Sequence, residues 1–486
     1  KKIYVTDDNP RNENPAKIRG EIVNNIKNKN CFNIGDRSKA ISYAIQNADP
    51  NEIILIAGKG HETKQIYKNK IVNISVKNIV IRNKQKIKKI SDRDLNFLQN
   101  FKILQKIKKN PKIKNFHGIA IDSREVKKNN LFLTIKGKNN DGNNFIKAAL
   151  KKGAKYIISS KKVNKFKEKL IKVDSEINFL NTYASLKRKE SKAKIFAITG
   201  SAGKTSLKNL TKDILQNFGE TFCSPKSYNN HFGVPLSLSH LNIRHKYGVF
   251  EVGMSKSGEI NKLSKLIKPH VGIITNIGEA HIENFKNLKG IADAKGEIIN
   301  NIIKGGTIIL NRDDKFFNYL KRKARIKKLK IVSFGINKNS DVFPISIKTN
   351  KKNTNLKIKV INQVFNFTIK NINIHNVLSS LALLKVLKLQ IKKVSKYFKN
   401  YEPTEGRGKV HYVKRYNKTF RLIDESYNAN PVSVKNAIKN FKLIKKQNFK
   451  KYLLLGDMLE LGKKSETLHK HLSKVINNSD IDKVFI

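Results

Sequence analysis

The segment KIFAITGSAGKTSLKNLTKDIL, residues 194–215, constrains the fold more than any other. A β-branched apolar run passes into Gly200-Ser201-Ala202-Gly203-Lys204-Thr205 and then into a stretch with helical apolar spacing. A strand, glycine turn and helix in that order turn backbone N–H groups and a helix N-terminus toward phosphate. The lysine neutralises phosphate oxygens, and the threonine hydroxyl is a ligand suited to Mg²⁺. The turn is shorter than G-x-x-x-x-G-K-[ST]: Ile198 stands where the first glycine would be, leaving G-x-x-G-K-T. Residues 200–205 are therefore the expected ATP-binding turn, with ATP and Mg²⁺ as the expected cofactors.

The rest of the chain reads as a multidomain α/β protein. Short apolar strands (KIFAIT, YGVFEV, VGIITNI, GGTIIL, KIVSFG) alternate with helical stretches over residues 191–398, which predicts a central, mostly parallel P-loop sheet. Residues 342–370 alternate apolar and polar positions as antiparallel strands do. Residues 116–190 form a small α/β front domain with strands NLFLTI and AKYIIS, and residues 399–486 open a Rossmann-like domain that stops inside the strand-like KVFI. Residues 1–80 form a partial domain with helices near 15–28 and 36–47, Asp36 capping the second, and a buried parallel strand at EIILIAG (52–58). Residues 81–115 read as a Lys-rich linker. The chain begins directly in a strand-like run (KKIYVT), so a fragment or fusion is expected.

Charge first suggests another class of protein. There are 100 Lys+Arg against 37 Asp+Glu, a net +63, which would suit a polyanion binder. Its distribution argues otherwise. Net charge is +8 over residues 191–310, where the phosphate motif lies, and +14 over the shorter stretch 61–130. Lys, Asn and Ile are overused everywhere, as A/T-rich codons would produce, so no nucleic-acid partner is expected. Two cysteines, Cys31 and Cys223, exclude a disulfide scaffold. No apolar run reaches the roughly 18 residues that span a bilayer and no signal segment opens the chain, so a cytoplasmic location without membrane insertion is expected.

Two further positions extend the phosphate site. Glu251 ends the strand YGVFEVGM, and His281 follows VGIITNI and Gly278-Glu279-Ala280. Side chains at the carboxyl ends of parallel strands face the ligand crevice, so both are candidate metal ligands beside Thr205, although imidazole is an unusual Mg²⁺ ligand. Together GSAGKT, FEVGMSKSGEI, TNIGEAHIENF and IADAKGEI resemble the Mur ligase family, from about Gly118 to Ile486. SYNNHFGVP (227–235), DESYNANPVSV (424–434) and LLGDMLELG (454–462) resemble its branch that acts on UDP-N-acetylmuramoyl-tripeptide and D-alanyl-D-alanine.

The resemblance implies ATP-dependent amide ligation through an acyl phosphate, by a monomer. It implies catalytic roles for Lys204, Glu251, His281 and Lys295, with Thr205, Glu251 and His281 on metal and Lys295 at the position that relatives carbamylate. Asn376 matches an adenine contact, Arg407 a phosphate contact and Asp424 a nucleotide contact; Ser379 stands where a second asparagine is usual. Ser123, Arg124, Asn229 and Asn230 match positions near the UDP-sugar, and Tyr427 and Asn428 positions near the dipeptide.

Residues 5–15 (VTDDNPRNENP) and 56–65 (IAGKGHETKQ) resemble the last domain of the family's diaminopimelate-adding branch. There Asp8-Asn9-Pro10-Arg11 would read the amino acid, with Gly58 and Glu62 as further contacts; a guanidinium suits a carboxylate. That branch's phosphate core is absent from this first segment, so no diaminopimelate-adding activity is expected of it. The alternatives are another ligase of this type, diaminopimelate-adding or folylpolyglutamate-synthetase-like, and a basic polyanion-binding protein.

Overall fold

The computed structural model describes the whole chain except residues 1, 28–29, 49–52, 59–61, 82–99, 101, 108–115, 138, 162–163, 350–352, 371, 416–417, 443 and 445–448. The chain divides into two compact units, Lys1–Asn100 and Phe101–Ile486.

In the first unit β1 (Ile3–Val5) pairs in parallel with β2 (Cys31–Asn33). Asn14 accepts from Ala16 N and Lys17 N to cap α1 (Pro15–Asn24), with Pro15 at its first position. Asp36 caps α2 (Arg37–Gln46), as the sequence predicts. A hairpin follows, β3 (Lys64–Tyr67) with β4 (Lys70–Asn73). The strand expected at 52–58 is not formed among the described residues 53–58, and Ile53 and Leu55 are 96% and 88% exposed. A strand needs neighbouring backbone to pair with. Here the carbonyls of Ala57 and Gly58 accept instead from the Arg37 guanidinium, at 2.6 and 3.0 Å. The first helix also ends earlier than expected, at Asn24.

The second unit opens with helical residues 102–107, inside the Lys-rich stretch read as linker; Ile103 and Leu104 are fully buried against Phe116 and Ile119. A parallel sheet follows, in the order β5 (Gly118–Ala120), β6 (Asn130–Leu133), β7 (Ala154–Ser159) and β8 (Leu170–Lys172). The expected strands are β6 and β7, with α3 (Ile146–Lys151) between them; β5 and β8, three residues each, are too short to carry a sequence pattern. The helix α4 (Glu176–Glu190) leads into the central sheet.

That sheet is built from β9 (Lys194–Thr199), α5 (Lys204–Leu215), β10 (Thr221–Cys223), α6 (Gly233–Ser239), β11 (Tyr247–Glu251), α7 (Glu259–Ile267), β12 (Val271–Ile274), α8 (Leu288–Gly296), β13 (Thr307–Asn311), α9 (Phe317–Ile326) and β14 (Lys330–Phe334). The antiparallel strands β15 (Val342–Thr349), β16 (Thr354–Val360) and β17 (Gln363–Ile369) extend it, and α10 (Ile374–Val386) packs on it. The strand order is β10-β11-β9-β12-β13-β14-β15-β16-β17, so β9 lies between β11 and β12 and the chain changes direction of travel there. Register sets Glu251 opposite Ile198 and Ile274 opposite Thr199. Three strands thus end level with Gly200, at the switch point where open α/β sheets bind ligands. Five of the six β9 residues are buried, between clusters on both faces.

Beyond it come the hairpin β18 (Lys409–Arg415) with β19 (Lys418–Asp424), then α11 (Pro431–Lys442), β20 (Tyr452–Leu454), α12 (Ser465–Asn477) and β21 (Lys483–Phe485), β20 and β21 pairing in parallel. Met458, Leu461, Leu468 and Leu472 join the core cluster of the central sheet. Val432 comes so close to Gly278 that a Cβ there would lie 2.1 Å from its Cγ2.

Burial holds His270 to about 4, and Ile195 N donates to its Nδ1 at 2.9 Å, an atom that must then stay unprotonated. Stability tied to the buried, neutral imidazole is complete above an unfolded-state pKa near 6.5 and is lost as pH falls toward 4. The thermal midpoint is expected to drop over that window, and His270→Asn, which keeps an acceptor but cannot titrate, to flatten part of the drop. A variant profile as steep as the parent's would contradict this.

Candidate functional site

The turn after β9 is held from the neighbouring strand end. Ala202 N donates to Asn276 Oδ1 at 2.9 Å, Thr275 Oγ1 to Ala202 O at 2.7 Å, and Ser201 Oγ to Gly278 O at 2.9 Å. Gly200 has φ +147°, and a Cβ there would lie 1.8 Å from Thr275 Oγ1; Gly203 has φ +81° at the N-cap of α5. Both conformations favour glycine. The turn leaves the first N–H groups of α5 facing the crevice.

Thr205 and Glu251 are both buried and meet directly. Thr205 Oγ1 donates to Glu251 Oε2 at 2.7 Å, and Asn229 Nδ2 donates to Glu251 Oε1 at 2.8 Å. A hydroxyl and a carboxylate side by side are the hard oxygen donors that Mg²⁺ takes, so the residues present fit that ion. Lys204 Nζ donates to Gly200 O at 2.7 Å and folds over the turn. Burial pulls its pKa down, Glu251 opposes that, and Arg407 adds to it.

Lys295, on α8, is 1% exposed. Burial holds its ammonium well below the usual lysine value, and Lys204 pushes in the same direction. His281 sits in the left-handed region at φ +58°, its Nδ1 against the Glu460 carboxylate. Burial lowers its pKa, Glu460 opposes, and Lys295 and Lys204 lower it further. Lys204, Lys295 and His281 therefore act on one another across one region, with Glu251 and Glu460 as the opposing carboxylates.

Asn376, on α10, faces the turn: a Cβ on Gly203 would lie 3.5 Å from its Oδ1. Ser379, where a second asparagine is usual, is buried and donates to Asn376 O at 3.1 Å, so it serves its own helix. Arg407 stacks over the Tyr427 ring at 4.0 Å, and its Nη2 lies 3.4 Å from Ser227 Oγ. Asp424 accepts from Gly406 N at 2.9 Å and from Ser426 N and Oγ at 3.0 and 2.6 Å. In this conformation it shapes the turn that presents Arg407. Tyr427 Oη donates to Ser227 Oγ at 2.7 Å, whereas Asn428 is exposed.

The remaining candidates separate. Asn229 joins the Glu251 cluster, while Asn230 Oδ1 accepts from Phe232 N and Gly233 N and so acts as a turn and helix-start residue. The exposed Arg124 forks onto Asp122, with Nη2 to Oδ2 at 2.8 Å, and Ser123 lies beside it. In the first unit a Cβ on Gly58 would lie 2.7 Å from Asp8 Oδ2. Asn9 reaches Glu62 Oε2 at 3.4 Å and accepts from Ile66 N at 2.9 Å. Pro10 precedes Arg11, which is exposed, has φ +50° and bridges to Tyr67. Asp8, Asn9, Gly58 and Glu62 are thus brought together, with Arg11 at the margin.

Sequence reasoning missed Thr275, Asn276, Ser227 and Glu460. All four lie inside segments it singled out, TNIGEAH, SYNNHFGVP and LLGDMLELG, but nothing local says which polar side chain turns inward.

Three matches to domain families cover most of the chain. Residues 198–386 match the Mur ligase middle domain, 115–188 the Mur ligase family catalytic domain, and 1–60 with 408–486 the Mur ligase glutamate ligase domain. A UDP-N-acetylmuramoyl-tripeptide--D-alanyl-D-alanine ligase of Rickettsia prowazekii is 35% identical over 379 residues, 76% of this chain and 82% of the relative. The enzyme of that name from Bacillus subtilis is 30% identical, over 76% of this chain and 79% of its own. Among solved structures, MurF from Acinetobacter baumannii matches with a TM-score of 0.70 at 28% identity, covering 80% of this chain and 84% of that one. MurF from Thermotoga maritima in complex with ADP matches at 0.65 and 26% identity, covering 76% and 83%.

Gly200→Ala places a methyl where Thr275 Oγ1 lies and forces the turn apart. It is expected to weaken ADP binding by about tenfold or more, roughly 1.4 kcal/mol. Calorimetric titration of parent and variant checks this, and equal affinities would contradict the role given to the turn.

Proposed function

The chain belongs to the Mur ligase family, and we infer from that membership that it is an ATP-dependent ligase of peptidoglycan precursor synthesis, joining D-alanyl-D-alanine to UDP-N-acetylmuramoyl-tripeptide. The observation that carries the inference is the buried Thr205–Glu251–Asn229 cluster beside Lys204, in a chain that is 35% identical to a ligase of that name.

A carboxylate is a poor acyl donor, and phosphorylation gives it a leaving group. The tripeptide carboxylate attacks the γ-phosphorus, its oxygen bonds to phosphorus and the bond to ADP breaks. The dipeptide amine then attacks the acyl carbon, phosphate leaves, and the amine loses a proton. The protein has to align two anions and screen their repulsion. Lys204 and the α5 N–H groups hold the transferring phosphate, and Arg407, stacked on Tyr427, reaches it from the later module. Asn376 borders the nucleotide. Thr205 and Glu251 would hold Mg²⁺, which supplies charge neutralisation at the phosphates when bound. His281 stands further along the same wall.

Lys295 is proposed as a carbamate. Its burial and its lowered pKa both favour the neutral amine, the form that attacks carbon dioxide. The nitrogen bonds to the carbon of CO2 and gives up a proton to solvent, and the resulting anion would answer the positive charge of Lys204. Ser123, Arg124, Asn229 and Asn230 are proposed for the UDP-sugar, and Tyr427 and Asn428 for the dipeptide. The first unit is read as part of the last domain of a diaminopimelate-adding ligase, with Asp8, Asn9, Pro10, Arg11, Gly58 and Glu62 proposed for the amino acid.

The test is phosphate release from ATP with UDP-N-acetylmuramoyl-tripeptide and D-alanyl-D-alanine. Release dependent on both substrates is expected, with a fall of about 10²–10³-fold or more in Lys204→Ala. Absence of release from the parent overturns the reading. For Lys295, isotopically labelled bicarbonate should give a carbamate resonance that is missing in Lys295→Arg; the same spectrum from both proteins rejects that assignment.

A further inference from the structure

The turn 224–230, between β10 and α6, meets three parts of the second unit. Toward the front sheet, Lys226 Nζ pairs with Glu125 Oε1 at 2.6 Å and Tyr228 Oη donates to Glu125 Oε2 at 2.9 Å. Toward the phosphate pocket, Asn229 donates to Glu251. Toward the later module, Ser227 Oγ accepts from Tyr427 and faces Arg407. A small shift of this turn would misplace all three contacts together.

Its inner side rests on one buried cation. Lys208 is 1% exposed, and its Nζ donates to Ser224 O at 2.7 Å and to Lys226 O at 2.5 Å. Lys226 itself sits at φ +45°, a conformation a lysine rarely adopts without support. Lys208 lies one helical turn after Lys204 on α5, beside the buried residues Leu207, Leu210 and Thr211. An aliphatic side chain would cover the same core without desolvating a charge. An ammonium here is accounted for by what only it supplies, several N–H donors on a long stem that reach two backbone carbonyls at once.

We propose that Lys208 is a positioning residue, tying the turn 224–230 to the phosphate-binding helix so that Asn229 and Ser227 are held in register with Lys204 and Thr205. The proposal rests on the ligase reading for its kinetic consequence and on geometry alone for the tether. Neither Lys208 carbonyl partner is a reacting group, so Lys208 acts through the turn.

The experiment compares the full chain with Lys208→Met, Lys208→Gln and Asn229→Ala, singly and with Lys208→Met and Asn229→Ala combined. In Lys208→Met, hydrogen exchange of amides 226–231 should quicken about tenfold while that of residues 207–215 stays unchanged. The KM for UDP-N-acetylmuramoyl-tripeptide should rise and kcat/KM fall about 10- to 100-fold, the scale of a 1 Å misplacement, with ADP affinity within twofold of the parent. Lys208→Gln, which keeps donors, should recover part of the loss. The combined variant should be little worse than the poorer single one, because both act through one turn. Unchanged exchange, fully additive losses, or a loss of ADP affinity equal to the loss of kcat/KM would overturn the proposal. If Lys208→Met does not fold, Lys208→Gln carries the same comparisons. A parent that releases no phosphate overturns the ligase reading instead, and exchange then decides the tether by itself.

Discussion

Glu251 is the constraint on which the site depends. It is a carboxylate with 1% of its surface exposed, placed at the end of β11 by a register that sets it opposite Ile198. An ionised group there has to be matched, and both its oxygens are: Thr205 comes from the phosphate helix and Asn229 from the turn before α6. Helix, strand and turn are thereby fixed to one another at the point where phosphate would arrive. The buried aliphatic clusters on both faces of the sheet supply the stability, and this polar knot sets the alignment.

The pocket's cations show the opposite situation. Lys204, Lys295 and His281 are each lowered in pKa by burial, and they repel one another. Burial therefore favours the uncharged forms of all three in the free protein, and an entering anion would favour the charged ones. The net +63 of the chain has little part in this. What matters is that a few basic side chains are buried close enough to shift one another. Arg407 joins them from a distant segment, its guanidinium over the Tyr427 ring and its turn shaped by Asp424.

Much of this was legible in the sequence, and the residues show why. Gly200 and Gly203 announce their positive φ because few other residues tolerate it. The cap Asp36 declares a helix start, since its side chain bonds an N–H group three residues away. The apolar run at 53–57 misled, because a strand-like sequence becomes a strand only when a neighbour completes its hydrogen bonds, and Arg37 took its last carbonyls. Asn229 and Asn230 are adjacent and identical in type, yet one turns to Glu251 and the other caps the start of α6.

The division follows from range. The sequence by itself determined the phosphate turn, the helix starts, the parallel architecture and the family, because each is written in contiguous residues whose local geometry enforces it. The tertiary structure alone decided that Tyr427 meets Ser227, 200 residues away, and that Asp424 serves the backbone of its own turn. It also decided that Lys208 points inward rather than to solvent. A polar side chain that can satisfy itself in several ways takes its partner from whatever the folded chain brings within reach, and no local pattern records that.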